Sequence, residues 1–105
     1  MRLTVVVKVG GDIIEDEAST LRVLEDVKEL ASRERVVVVH GGGDLVTEIA
    51  LKLGKEQVFV TSPEGFRSRY TDRETAEIYS MVMSGLINKR LVVALQLRAG
   101  GPRRS

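Results

Sequence analysis

Val36-Val37-Val38-Val39-His40-Gly41-Gly42-Gly43-Asp44 is the stretch that governs the architecture. Four β-branched residues with no polar alternation predict a strand buried on both faces. The three glycines that follow let the backbone take positive φ and leave main-chain N–H groups open to a ligand, with no Cβ in the way. Asp44 is placed to cap a helix in which Leu45, Ile49 and Leu53 recur at helical spacing. A strand, a glycine turn and a helix N-terminus in succession point unpaired N–H groups and the helix dipole at one place, which suits an anion. The plainer alternative is a tight strand-to-helix turn with nothing bound. Three consecutive glycines cost more backbone entropy than a turn requires, which favours the anion seat.

Upstream, Leu3-Thr4-Val5-Val6-Val7-Lys8-Val9 predicts a second doubly buried strand, closed by Gly10-Gly11. Lys8 is its only charge. At a strand end it could snorkel to water, or it could aim a cation at an anion held over Gly10-Gly11. Asp12 to Ser19 reads as an acidic turn. From about Ser19 or Thr20 to Ser32 a helix is predicted, with Leu24, Val27, Leu30 and Ala31 on one face. This helix returns the chain to the Val36–Val39 strand, which makes a parallel, right-handed β-α-β unit. Both glycine turns then lie at the carboxyl ends of parallel strands, the edge at which open α/β sheets bind ligands.

Downstream, Gly54 is placed to end the helix begun at Asp44, and Gln57–Thr61 predicts a short third strand. Ser62 to Tyr70 has the composition of a loop carrying Arg67 and Arg69. Thr71-Asp72-Arg73-Glu74 matches a capping box, which sets Arg69 at the mouth of a helix and able to fork onto a carboxylate. From Asp72 to about Leu97 the pattern is helical: Ile78, Val82, Leu86 and Val93 form one line, with Tyr79, Met83, Ile87 and Leu91 alongside. Apolar residues on two sides suggest that this helix packs on the sheet and also forms a homodimer interface through helix 72–97, with Tyr79, Met83 and Ile87 as the candidate contacts. Residues 1–97 read as one lobe, and 98–105 as a disordered tail without periodicity.

Composition limits the possibilities. With 105 residues, 43% hydrophobic and 30% charged, the chain is one globular domain at most. No apolar run approaches the roughly 18 residues of a membrane span, and with Met1-Arg2-Leu3 leading directly into a strand no signal peptide is expected. Cysteine is absent, so disulfides, thiolate zinc sites and cysteine nucleophiles are excluded, and a cytoplasmic location is the expectation. The net charge of +1, with three of the sixteen basic residues in the tail, leaves no footprint for nucleic acid. Two Phe, two Tyr and no Trp offer little base stacking.

No Gly-Lys-Ser/Thr follows either glycine loop, so there is no Walker A motif. Gly41-x-Gly43 is followed by Val46 where a dinucleotide fingerprint needs glycine or alanine, which makes that reading weak. His40, the only histidine, reads as a satisfied strand residue, and no metal-ligand or Gly-x-Ser-x-Gly pattern occurs. Two glycine loops, Lys8 and Arg69 around one crevice remain. Phosphoryl transfer needs such parts, namely N–H dipoles, a cation and positioning.

Val7-Lys8-Val9-Gly10-Gly11, Val39-His40-Gly41-Gly42-Gly43, Ser68-Arg69-Tyr70-Thr71-Asp72 and Asn88-Lys89, in this order, resemble the amino-terminal lobe of the amino-acid kinase family. The resemblance covers residues 3–96 and lies nearest the acetylglutamate kinase branch. Within that branch, Ser-Arg-Tyr-Thr-Asp resembles the acetylaminoadipate, or carrier-protein-linked aminoadipate, kinases of lysine and arginine biosynthesis. The resemblance implies a three-layer α/β sandwich around a parallel sheet, and ATP with Mg2+ as phosphoryl donor. The implied acceptor is the side-chain carboxylate of N-acetylglutamate or of an N-blocked aminoadipate, as a small molecule or on an amino-group carrier protein. It further implies that Lys8 holds the transferred phosphate and that Gly10 and Gly11 stabilise its oxygens. Gly41, Gly42 and Gly43 would then hold the reacting carboxylate, and Arg69 the far end of the substrate. Asn88-Lys89 reads as a structural helix pair. Family members continue past this length with a nucleotide-binding lobe, so the chain is expected to be an incomplete kinase, inactive alone. A non-catalytic anion-binding domain and a dimerisation module are the alternatives.

Overall fold

The computed structural model describes residues 2–98. β1 (Thr4–Val9) and β2 (Arg35–His40) pair in parallel along their whole length, Val5 opposite Val36 and Lys8 opposite Val39. The pairing continues at both ends: Arg35 N–H donates to the Leu3 carbonyl at 2.9 Å and Gly41 N–H to the Val9 carbonyl at 3.1 Å. The predicted parallel β-α-β unit is present, and its two glycine turns leave the same sheet edge.

Burial of both strand faces, expected from the unbroken valine runs, is not what is found. Val9 is buried, and Val5, Val7, Val36 and Val38 are half-buried. Val6, Val37 and Val39, on the other side of the pleat, are 64%, 49% and 46% exposed. A valine run specifies strand geometry on both faces, but neighbouring elements decide which face is covered. Among the described residues, the second covering layer of a sandwich is not supplied.

The crossover differs in detail from expectation. The Asp12–Ser19 stretch is helical, as α1 (Gly11–Glu15) and the start of α2 (Glu17–Ala31), with Asp16 between them. Asp16 caps α2: its carbonyl accepts from Thr20 N–H at 2.9 Å, and its carboxylate accepts from the Ser19 hydroxyl. Leu24 and Val27 are the buried residues of α2.

In α3 (Gly43–Lys52) the cap position belongs to Gly42 rather than Asp44, which lies in the first turn, where its charge still opposes the helix dipole. The buried stripe is Val46 and Ala50, with Leu45 and Ile49 at its flank and Leu53 exposed beyond the end. Gly54, at φ +85°, closes α3 as expected. Its N–H donates to the Leu51 carbonyl at 3.0 Å and that of Lys55 to the Ala50 carbonyl at 2.8 Å, the paired bonds of a Schellman motif.

The third strand does not join the parallel sheet. β3 (Phe59–Thr61) forms an antiparallel hairpin with β4 (Arg67–Arg69), a strand within what reads as a loop. Arg-Ser-Arg carries no β signature; its strand form comes from pairing with β3 and from both arginines standing over the Phe59 ring, 4.0 Å away for Arg67 and 4.8 Å for Arg69.

The long helix is present and is not regular. α4 (Arg73–Ser80) runs into a π-helical segment, Met81–Ile87, and then α5 (Asn88–Arg98). Its N-cap is Asp72, whose carboxylate accepts from Thr75 N–H at 2.8 Å, and not the Thr71 of the expected box. Ile78, Val82, Ile87 and Leu91 are buried on it and join Leu24, Val46 and Ala50 in one core. Four residues separate Ile78 from Val82 and Ile87 from Leu91, but five separate Val82 from Ile87. The wider i→i+5 turn absorbs that extra residue and keeps the stripe on one side. The predicted line through Leu86 and Val93 is therefore displaced: Leu86 only flanks the core, Val93 is exposed, and Met83 and Ile87 face inward rather than toward a dimer partner. By length and composition, Arg73–Leu97 could also cross a membrane, a property shared by core helices, and this helix supplies four of the core residues. The predicted tail lies, apart from Arg98, outside the described residues.

Candidate functional site

The two glycine turns touch. A Cβ on Gly11 would stand 3.7 Å from Gly42 N, and one on Gly41 would stand 3.5 Å from Gly11 N. Such spacing is ordinary contact, so the two loops form one floor at the carboxyl edge of β1 and β2. Gly10, in extended backbone at φ −72°, has nothing within 4 Å of its Cβ position. Neither torsion nor packing in this chain requires glycine there.

Gly42 is different. It is buried at φ +139°, a conformation that side chains rarely adopt, and a Cβ on it would collide with Ile87 Cδ1 and lie 3.7 Å from Met83 Sδ. The next residue of the long helix holds the same loop from another direction. Asn88 Nδ2 lies 3.5 Å from His40 Nε2, and His40 Nδ1 lies 3.1 Å from the Gly41 carbonyl. Because that carbonyl can only accept, Nδ1 carries the proton and Nε2 is free to accept from Asn88. His40 is thus the satisfied residue the sequence suggests, and Asn88 is part of its support.

Arg69 reaches the site from the hairpin. Its Nη1 donates to Thr47 Oγ1 at 3.1 Å and to Gln57 Oε1 at 2.8 Å, and its Nη2 donates to the Gly43 carbonyl at 3.0 Å. All three acceptors are neutral, and among the described residues Arg69 makes no ion pair. The guanidinium is half-buried and held in place without an anionic partner. It borders an open cleft of about 410 Å3 that Thr71, Ala76, Tyr79 and Ser80 also line. Arg67, by contrast, is exposed over Phe59.

Lys8 is exposed on the open face of the sheet, beside Val39 and two residues before Gly10, and makes no hydrogen bond or ion pair among the described residues. Lys55 is committed instead, 2.7 Å from Asp72 and 3.4 Å from Glu74. The Lys55 ammonium and the Thr75 N–H hold the Asp72 carboxyl down at about 2. Of the residues singled out by sequence, the glycines are brought together, and Arg69 is bonded to the second loop through Gly43. Thr47 and Gln57, which aim Arg69, carry no sequence signal of their own, because their role exists only once the hairpin folds over α3. Thr47 falls one helical turn after Gly43, the single hint available.

Residues 3–101 match the amino acid kinase family. The chain belongs to that family. It is 53% identical over 93 residues to a protein of Nitrosopumilus maritimus provisionally named a LysW-aminoadipate/LysW-glutamate kinase, a match over 88% of this chain and 34% of the relative. A protein of Cenarchaeum symbiosum with the same provisional name is 50% identical over 92 residues, and again 88% and 34% of the two chains are covered. The LysW-aminoadipate/LysW-glutamate kinase of Saccharolobus islandicus is 47% identical over 91 residues, 87% of this chain and 33% of that one. The chain thus spans about a third of the length of these amino acid kinase relatives. Its joined glycine loops, Lys8 and Arg69 all lie inside the matched region.

Proposed function

We propose that this chain is the acceptor- and phosphate-seating part of a kinase. The reaction would join the γ-phosphoryl of ATP to the side-chain carboxylate of aminoadipate or glutamate borne on a LysW-type carrier protein. The names of the relatives support the substrate class. The observation that carries the chemistry is the open space above Gly10, next to the contact of Gly11 with Gly41 and Gly42, with Arg69 bonded to Gly43 and, among the described residues, without an anionic partner.

A carboxylate oxygen attacks the γ-phosphorus, the bond to ADP breaks, and an acyl phosphate leaves for the next step of lysine or arginine biosynthesis. The protein need not supply a nucleophile; it must position two anions that repel and stabilise charge on the moving phosphoryl oxygens. Gly10 and Gly11 N–H groups and the Lys8 ammonium take the phosphoryl end. Gly41–Gly43 and the N-terminus of α3 take the reacting carboxylate, and Arg69 takes the distal carboxylate by its remaining N–H donors. ATP with Mg2+ is the expected donor. The metal would travel on the nucleotide phosphates.

This chain alone is expected to show no turnover, so binding is the test. In 15N-labelled chain titrated with LysW-linked aminoadipate, the amides of Gly10, Gly11 and Gly41–Gly43 should shift together with the Arg69 Nε–H. N-acetylglutamate serves as the comparison. A response to it alone would assign an acetyl blocking group instead of a carrier. Unmoved glycine signals at millimolar concentrations of both would overturn the proposal.

A further inference from the structure

We propose that the π-helical segment Met81–Ile87 is a positioning device for the acceptor loop, and that Ile87 is its positioning residue. The first observation is register. Burial steps by four residues from Ile78 to Val82, by five to Ile87, and by four again to Leu91. In an uninterrupted α-helix the residue following Val82 on the core side would be Leu86, and Ile87 would be turned away from it. The π-turn brings Ile87 in.

The second observation is what Ile87 meets there. Ile87 is 2% exposed and its Cδ1 occupies the space a Cβ on Gly42 would need, while Met83, also in the π-segment, lies against the same glycine. Gly42 is the one glycine of the two loops with positive φ. Its conformation, which sets the direction of the Gly43 N–H and the start of α3, is thus backed by a side chain from the distant helix. The third observation is the neighbour. Asn88, immediately after the π-turn, holds His40, which holds the Gly41 carbonyl. Two consecutive residues delivered by one irregular turn fix two consecutive glycines. π-turns carry an energetic cost relative to α-helix and occur often at functional sites, and here the cost is matched to a loop.

This inference rests on the reading of Gly41–Gly43 as an acceptor seat, but its test does not need the ligand. Ile87→Val removes the Cδ1 methyl that lies under Gly42. Ile78→Val removes the same methyl from the same core, away from the loop, and is the control for lost packing. Amide hydrogen exchange is measured residue by residue in the free chain. Ile87→Val should speed exchange at the Gly41 and Val46 amides, which donate to the Val9 and Gly42 carbonyls, at least fivefold beyond any global change, and Ile78→Val should not. In the binding titration, Ile87→Val should weaken LysW-linked aminoadipate at least fivefold, with Ile78→Val within twofold of the parent. Equal effects of the two variants on loop exchange, or none from Ile87→Val, would overturn the inference. A parent chain that binds nothing but shows the exchange difference would overturn the acceptor reading and leave the positioning role standing.

Discussion

Arg69 donates to the Gly43 carbonyl across 3.0 Å, and through that bond the β3–β4 hairpin and the start of α3 act as one unit. The hairpin has little else to hold it, since Val58, Val60 and Phe66 are exposed. Arg69 therefore has a structural task beside the one proposed for it. Arg69→Lys cannot satisfy Thr47, Gln57 and Gly43 together, because an ammonium lacks the planar fork. The variant should lose about 1–3 kcal/mol of stability, the scale for hydrogen bonds to a charged donor, and should bind the carboxylate substrate at least tenfold more weakly. Arg67→Lys should change neither by much. Urea unfolding and the same titration check both arms; equal losses from the two variants would reject the assignment.

Gly10 separates a binding role from a folding role more cleanly than any other position. No torsion or contact requires glycine there, so Gly10→Ala should leave stability within about 1 kcal/mol, the small cap and entropy effects opposing each other. If phosphate oxygens approach the backbone at this point, a methyl group there should block them. The expected result is an unchanged urea midpoint with at least tenfold weaker competition by inorganic phosphate or ATP in a full-length kinase carrying this sequence. Gly42→Ala should do the reverse, failing at the level of folding by about 3 kcal/mol or more from positive φ and the Ile87 collision together.

How much of this was legible follows from where each signal resides. The β-α-β unit and both glycine turns are local: the valine runs and the glycines announce themselves, and parallel pairing follows from the helix between them. The order of Lys8, Gly10, Gly11, Gly41–Gly43 and Arg69 also survives in the folded chain. What could not be read is relational. Whether Val6 or Val7 is covered depends on layers that strand sequence does not encode. The π-turn hides because Ile78, Val82, Leu86 reads as a regular stripe, and only the packing of Ile87 on Gly42 shows that the register slips. β4 hides for the same reason, since Arg-Ser-Arg becomes a strand by virtue of Phe59.

Lys8 gives a test of chemistry without a structural complication. It is exposed and unbonded among the described residues, so Lys8→Ala should leave stability within about 0.5 kcal/mol. If Lys8 stabilises the transferring phosphoryl group, kcat in a full-length kinase carrying this sequence should drop by a factor on the order of 100 or more. A folded variant with near-parental kcat would leave Lys8 as a solvated strand-end residue.

Asp72 and Lys55 predict a pH dependence with a definite sign. The folded-state pKa of Asp72 is lowered from 3.8 to about 2, first by the Lys55 hydrogen bond and then by Thr75. Its contribution to stability is therefore complete above about pH 4 and disappears as pH falls toward 2. Lys55 is raised above 10.5, chiefly by its hydrogen bond to Asp72, so its contribution is present below that value and is lost as pH climbs through the higher folded-state value. Thermal melts between pH 2 and 5 should show Asp72→Asn with a flatter profile than the parent. Parallel profiles would mean that the pair does not contribute in solution.

A homodimer through helix 72–97 remains a proposal, now with different residues. Met83 and Ile87 are taken up by Gly42 and the core, so Met83→Glu would unfold the chain rather than split a pair. The outward side of the helix carries Met81, Val92, Val93 and Leu97, which are 56%, 40%, 55% and 67% exposed. Val93 and Leu97 line a shallow apolar groove with Leu21 of α2, and Glu17, Lys89 and Arg90 line it as well. A two-fold contact sets the same patch against itself, and a lining with both signs of charge can then pair across the axis. Val93→Glu would place two like charges near that axis while disturbing nothing buried. Sedimentation equilibrium at tens of micromolar should find the parent dimeric, and Val93→Glu monomeric with an unchanged melting temperature at matched monomer concentration after correction for dissociation. A monomeric parent at that concentration would assign this apolar side to some other covering than a second copy.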